Sequence, residues 1–320
     1  MRAVVFTGTG GNEVVRLEER PDPAPGTHEI LVAASHAGVN PADLAQRAGA
    51  YPPPAGSPVD IPGLEVAGTV VARGNTVRDW QEGDRVFGIV GGGGLADRVV
   101  VHERHVARVP DGLDAVAAAA VPEAFVTAHD AVFSQAGLGM GEKLLVNGAN
   151  GGVGTAAVQL GVAAGARVFA NVRATEAGAQ LVAFGAQVIG PADFVERLGV
   201  GGGADVILEL VGSPNVPGDL EALATKGRIV VVGTGAGTEV ELSLRALMGK
   251  RARLMGTVLR ARPLEEKAAA VQAFARQVVP HFATGKLTPV VDRIFPAEQA
   301  AAAFDYMTQP GKFGKVLLAF

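Results

Sequence analysis

The sequence predicts an α/β protein in two parts, a small partly open barrel of short strands and a doubly wound parallel sheet. Three observations carry that prediction. Residues 143–154 read KLLVNGANGGVG, an apolar run followed by a glycine turn that opens a helix. From about residue 122 to 259, six candidate strands alternate with helical stretches, the count a doubly wound sheet requires. Before residue 121 the signals are instead short strands punctuated by Gly, Pro and charge, which is an all-β pattern.

In chain order, residues 3–6 and 29–37 read as strands, and PDPAPG at 21–26 forbids regular structure between them. Residues 68–72, 85–90 and 97–101 are further strands of the barrel, and alanine-rich 115–120 marks the passage to the second part. The parallel-sheet strands are expected at 143–147, 166–171, 187–189, 205–210, 228–232 and 254–259. The helix after the first of them spans 155–164 and is closed by Gly165. A long helix at 264–283, apolar at helical spacing, then leads to short strands at 288–291 and 315–319 that return to the first part. The expected division is therefore 1–121 with 261–320, and 122–260.

The strand, glycine turn and helix at 143–164 make a dinucleotide site. Gly151 lets backbone approach a pyrophosphate, Gly154 lets helix and strand pack closely, and the helix N-terminus points free N–H groups at the phosphates. Ala149 stands where the first glycine of GxGxxG would be. At the end of the second strand an acid would hydrogen-bond a free ribose 2′-hydroxyl and repel a 2′-phosphate. Here the chain reads Ala170, Asn171, Val172, Arg173, with no acid, and Arg173 can pair with a phosphate. That selects NADPH, with NADH the less favoured cofactor. An unremarkable solvated arginine at 173 is the alternative.

Composition narrows the rest. The chain has 320 residues, 48% apolar, with a net charge of −4, which argues against nucleic acid as a partner. MRAVVFTG lacks the layout of a signal peptide, and no apolar stretch reaches membrane-spanning length, so a cytoplasmic protein without a membrane partner is expected. There is no cysteine, which removes disulfides and thiolate metal sites. The six histidines, His28, His36, His102, His105, His129 and His281, form no HExxH pattern, so no metal site is expected. There is no GxSxG elbow and no GKS or GKT phosphate loop, and the glycine run at 91–94 reads as a hairpin turn or pocket rim.

Six stretches carry a family resemblance: AGVNPAD at 37–43, IPGLEVAG at 61–68, EGDRVF at 82–87, VPEAFVTA at 121–128, GANGGVG at 148–154 and GKFGKVLL at 311–318. The whole chain resembles the medium-chain dehydrogenase/reductases, and within them the zinc-free quinone oxidoreductases of zeta-crystallin type. The resemblance implies a GroES-like barrel domain beside a Rossmann domain. In zinc alcohol dehydrogenases, Cys and His stand where this chain has Asn40 and Leu64. By the same resemblance Asn40 lies beside the nicotinamide, Tyr51 faces the substrate and Thr127 bonds the cofactor near its nicotinamide ribose. Asn150, Gly151, Gly152 and Val153 hold the pyrophosphate, while Val211, Gly233, Thr234, Val258 and Leu259 line the cofactor groove at strand C-terminal ends. Asn40 precedes Pro41 and can equally cap a helix, and Tyr51 can be a packed loop aromatic. Relatives often place a lysine where Ala177 stands and a tyrosine where Pro191 stands, which leaves Arg173 as the main contact to the adenosine phosphate.

The implied reaction is hydride delivery from the nicotinamide to a quinone in a cleft between the domains, with no Lewis acid because a reduced quinone is a stable anion. The alternatives are an alkenal, enone or enoyl-thioester reductase, which needs a proton at the α-carbon, and a cofactor-binding protein without catalysis. A small-molecule electron acceptor and a homodimer, paired through the strand at 254–259, complete the expectation.

Overall fold

The computed structural model describes residues 1–173 and 178–320. It forms two units, one of Met1–Val126 with Leu259–Phe320, the other of Thr127–Val258.

In the first unit, β1 (Arg2–Phe6) and β2 (Val15–Glu19) form an antiparallel hairpin. Then come β3 (Glu29–Ala33), β4 (His36–Val39), α1 (Pro41–Arg47), β5 (Glu65–Arg73), β6 (Arg85–Ile89), β7 (Arg98–His102) and β8 (Val106–Arg108). Five of these make an antiparallel sheet in the order β7-β3-β5-β6-β8. Its buried face is β-branched, as pleated surfaces prefer: Ile30, Val32, Val66, Val70, Val86, Val99 and Val106 share one cluster. The helices α2 (Ala115–Ala119) and α3 (Pro122–His129) follow.

The stretch 29–37, expected as one strand, is two. Ala34 N–H donates to Asp97 and Phe320 N–H donates to Ser35, so each half completes its ladder with a different sheet. The β2 and β8 strands had no sequence signal strong enough to separate them from turn.

The second unit alternates without exception: β9 (Lys143–Asn147), α4 (Gly152–Ala163), β10 (Arg167–Asn171), α5 (Gly178–Ala183), β11 (Gln187–Ile189), α6 (Phe194–Val200), β12 (Ala204–Glu209), α7 (Val216–Ala222), β13 (Leu223–Val231), α8 (Leu244–Lys250) and β14 (Arg253–Gly256). All six strands are parallel, in the order β11-β10-β9-β12-β13-β14. That order reverses direction between β9 and β12, the switch point where doubly wound sheets bind ligands. The strands read as apolar runs because helices cover both faces of such a sheet. Leu145, Phe169, Ile189, Ile207 and Ile229 pack with Phe194, Leu198 and Leu220 from the helices.

The chain returns to the first unit with α9 (Leu264–Gln277), α10 (Val279–Ala283), β15 (Val291–Pro296), α11 (Ala300–Thr308) and β16 (Lys315–Ala319). The helix expected over 264–283 breaks at Val278, just ahead of Pro280, whose missing N–H cannot continue it. The strand expected at 288–291 starts at Val291 instead. β16 pairs parallel with β15 and antiparallel with β4, completing a three-stranded sheet.

Candidate active site

The second unit supplies a glycine crook. After Asn147 ends β9, Gly148 turns with φ +75° and Gly151 takes the N-cap position of α4. No side chain caps that 12-residue helix, so its first N–H groups are left for a ligand at the positive end of the dipole. A Cβ on Gly154 would lie 2.4 Å from the Gly148 carbonyl and 2.7 Å from Ala149 Cα, so only glycine lets the helix come this close. A Cβ on Gly151 would meet nothing nearer than the Gly148 carbonyl at 3.6 Å, so the space before the helix is open. This cradle fits a pyrophosphate.

The sheet register sets the rest of that surface. Asn171, Asn147, Glu209, Val231 and Gly256 are level across β10, β9, β12, β13 and β14. Val211, Gly233 and Thr234 therefore emerge just beyond the strand ends, next to the crook's side of the sheet. Val258 is exposed and Leu259 buried, both beyond β14, which ends at Gly256 and not at 259 as the sequence reading had it. Arg173 is exposed two residues past β10 and Pro191 two past β11, and Thr127 is buried in α3. Ala177 lies outside the described residues.

Beneath the crook lies a buried polar network. Asn147 Nδ2 donates to Glu209 and to Asp219, both at 2.7 Å, and its Oδ1 accepts from Asn171 Nδ2 at 2.8 Å. Glu209 also accepts the N–H groups of Val211 and Gly212, fixing the turn after β12. Burial, then the neighbouring Glu209 carboxylate, pushes the Asp219 carboxyl up to about 9. That environment favours the protonated Asp219 carboxyl, whose Oδ2 has no hydrogen-bond partner among the described residues. One acid in an apolar strand, Glu209 in DVILEL, was the sequence signal for this network.

The first unit supplies a buried ionic cluster. Lys315 Nζ donates to Glu65 at 2.6 Å and to Asn40 Oδ1 at 2.5 Å, and Asn40 Nδ2 donates to Glu65 at 2.9 Å. The other Glu65 oxygen accepts the Glu123 N–H at 2.8 Å. A Cβ on Gly38 would fall 2.0 Å from Glu65 Oε1, so a glycine in β4 makes room for the pair. Asn40 does occupy the N-cap position of α1, but its amide serves Glu65 and Lys315. The capping partner is Asp43, whose carboxylate accepts the N–H groups of Asn40 and Gly63 at 2.8 and 2.9 Å. Burial pushes the Asp43 carboxyl up to about 6, against those two bonds and the cations Lys315 and Arg260.

Tyr51 lies in the loop after α1, half-buried. Its hydroxyl makes no hydrogen bond among the described residues. Burial pushes its phenol up, the Arg260 cation pulls it down and Glu123 pushes it up again. The glycine run at 91–94 is pinned by backbone bonds from Gly93 and Gly94 to Ile61 and Gly63, and carries no helix after it.

The donor set at Asn40 is an amide and a carboxylate already held by a buried ammonium, which repels a second cation. Among the described residues, no group of three or more His, Cys, Asp or Glu side chains is placed to hold a metal ion. His28 stacks on His102 with ring centres 6.1 Å apart, and His105 lies tilted against His102 at 5.1 Å.

Barrel, parallel sheet and crook together define a medium-chain dehydrogenase/reductase, an NAD(P)H-dependent oxidoreductase. Residues 26–111 match the model for an alcohol dehydrogenase GroES-like domain, and 178–318 match that for a zinc-binding dehydrogenase. The quinone oxidoreductase of Rattus norvegicus is 32% identical over 327 residues, covering 99% of this chain and 97% of that one. A mycobacterial protein solved in complex with NADPH superimposes with a TM-score of 0.89 at 26% identity, covering 100% of both chains. The CurK enoyl reductase superimposes at 0.86 with 25% identity, covering 99% of this chain and 98% of that one. The chain belongs to the quinone oxidoreductase family.

Sequence reasoning named Asn40 but not its two partners. Glu65 and Lys315 stood inside the stretches IPGLEVAG and GKFGKVLL without an assigned role. The available signal was a charge at the start of an apolar strand in each.

Proposed function

We propose that this chain oxidises NADPH and reduces a quinone without a metal ion. The observation that carries this reading is that Asn40 and Leu64 stand where the resemblance puts the Cys and His ligands of zinc alcohol dehydrogenases, with the Asn40 amide held by Glu65 and Lys315. An acceptor reduced here must therefore be one that tolerates negative charge without a Lewis acid, and a quinone does. When bound, the nicotinamide supplies the hydride. The chain's own part is binding and orientation. Gly151, Gly152 and Val153 offer backbone to the pyrophosphate, with Asn150 and Thr127 as further contacts. Val211, Gly233, Thr234, Val258 and Leu259 line the groove, and Arg173 with Asn171 meets the adenosine ribose and its 2′-phosphate. Lys315 and Glu65 lock the Asn40 amide, and Tyr51 offers its hydroxyl to the acceptor. The NADPH-bound relative supports the choice of phosphorylated cofactor.

A second reading is reduction of an alkenal, enone or enoyl thioester, favoured by the Tyr51 hydroxyl and by the likeness to an enoyl reductase. We also place the chain in the cytoplasm as a homodimer. β14 is an edge strand, and Leu254, Leu244 and Met248 beside it are exposed. The test of function is oxidation of NADPH and NADH by purified protein across quinones, 2-alkenals and enoyl thioesters. Quinone-dependent oxidation at least about tenfold more efficient with NADPH is expected. Failure to oxidise either nucleotide with any acceptor would remove the proposal.

A further inference from the structure

At the end of the parallel sheet away from the crook, three cations converge on one surface pocket. Lys143 opens β9, Arg167 opens β10, and the two are level across the pair. Gln187 opens β11, on the other side of β10. Two residues further along each strand, Leu145, Phe169 and Ile189 pack with Phe194 and Leu198 of α6. Side chains two apart on a strand share a face, so Lys143, Arg167 and Gln187 lie on the face that α6 covers. Arg197 reaches the same place from α6. With Phe169 and Leu198 these four residues line a cavity of about 240 Å³, and no carboxylate lines it among the described residues. Asn147, after which the crook begins, ends β9 roughly 13 Å away.

The local partners leave positive charge over. Lys143 Nζ donates to the Gly201 carbonyl at the end of α6, and an ammonium has two further hydrogens to give. Arg197 donates to the Val188 carbonyl at 3.1 Å and stands 3.6 Å from the Asp193 carboxylate, whose other oxygen accepts the Gly190 N–H. Asp205 accepts the Lys143 backbone N–H at 2.8 Å, and both oxygens of Glu142 are committed to Arg228. Arg167 is exposed, and its guanidinium makes no hydrogen bond or ion pair among the described residues. Cations near the C-terminal end of α6 answer its dipole, which accounts for Lys143 and Arg197 but not for Arg167. Like charges level on adjacent strands repel one another. An anion seated between them removes that cost, and a pocket lined by one sign of charge concentrates such ions.

We propose that this pocket binds a phosphoryl group, as a second anion site independent of the pyrophosphate cradle. Arg167 and Arg197 each offer the guanidinium fork that matches two phosphate oxygens, and Lys143 adds a point charge. Gln187 supplies a neutral amide donor, while Phe169 and Leu198 form the floor. A phosphate ester or diphosphate in solution and the headgroup of an anionic lipid present the same oxygens to these groups. No residue of the proposed reaction takes part, so the site is judged apart from that reading.

Calorimetric titration of the full-length protein with pyrophosphate, with NADPH present to fill the crook, tests the soluble ligand. Co-sedimentation with phosphatidylcholine vesicles, with and without phosphatidic acid, tests the lipid. The parent should bind at least one of the two probes, and the probe bound identifies the source. R167Q should weaken that binding about tenfold, R167K by less, and R167Q/R197Q about a hundredfold. NADPH affinity should hold in all three variants, because the crook lies at the other end of the strands. Arg167 has no side-chain partner to lose, so R167Q decides alone if the double variant does not fold. A parent that binds neither probe would overturn the proposal. So would equal affinities in R167Q and the parent, since the binding would then belong to another surface. A parallel loss of NADPH affinity in R167Q would overturn it too, by joining Arg167 to the cofactor site.

Discussion

Lys315 and Glu65 decide what Asn40 can do. Both amide hydrogens of Asn40 are committed, to Glu65 and to the Gly38 carbonyl, and its oxygen accepts from Lys315. Asn40 therefore presents a fixed surface, not a mobile donor. Replacing Lys315 by Met strands the Glu65 carboxylate in a dry site and should cost about 3–5 kcal/mol in denaturant unfolding. Adding Glu65→Gln to that variant should recover most of the loss, because no charge is then left alone. A cost in the double variant as large as in the single one would mean that packing, not charge, sets the effect. At Arg173, substitution by Ala should weaken NADPH binding about tenfold and leave NADH nearly unchanged. Equal losses measured by fluorescence titration would remove Arg173 from the 2′-phosphate. Asn40 was legible from its stretch of sequence. Its ionic partner was not, since Lys315 comes 250 residues after Glu65 and only the pairing of β16 with β4 unites them.

At the scale of elements, the crook separates two jobs for glycine. Gly154→Ala pushes a methyl into the Gly148 carbonyl and should destabilise the fold by about 1–3 kcal/mol. Gly151→Ala has room within the protein, so its thermal midpoint should hold while NADPH binding weakens. Equal thermal losses for the two variants would contradict that division. The network below the crook adds a dependence on pH. The Asp219 carboxyl titrates at about 9 in the folded chain against an ordinary value of 3.8. Between about pH 4 and 9 the folded state therefore keeps a proton that the unfolded chain has released, and stability falls as pH rises through that window. Asp219→Asn keeps a donor toward Glu209 and should flatten the fall, read from unfolding free energies at several pH values. An unchanged slope would place the shared proton elsewhere. The strand at 143–147 was legible to the residue, because a continuous apolar run before a glycine turn has one reading. The stretch 29–37 was not, because alternation persists across a bend and only the competing partners Asp97 and Phe320 reveal the break.

At the scale of the whole molecule, the class of fold followed from the change in pattern near residue 121. The proposed homodimer rests on one edge. Leu254→Lys with Met248→Glu puts charge on the exposed apolar face of β14 and α8, and should convert a dimer to a monomer in light scattering. A wild-type chain that is monomeric to begin with would contradict the pairing. The central claim is that this family member moves a hydride to a conjugated acceptor with an ammonium, not a metal, at the Asn40 cluster. The most direct measurement is quinone-dependent NADPH oxidation after exhaustive chelation, with the metal content of the same sample determined. The account predicts undiminished turnover in protein that holds no zinc. Turnover lost on chelation and restored by added zinc would contradict it.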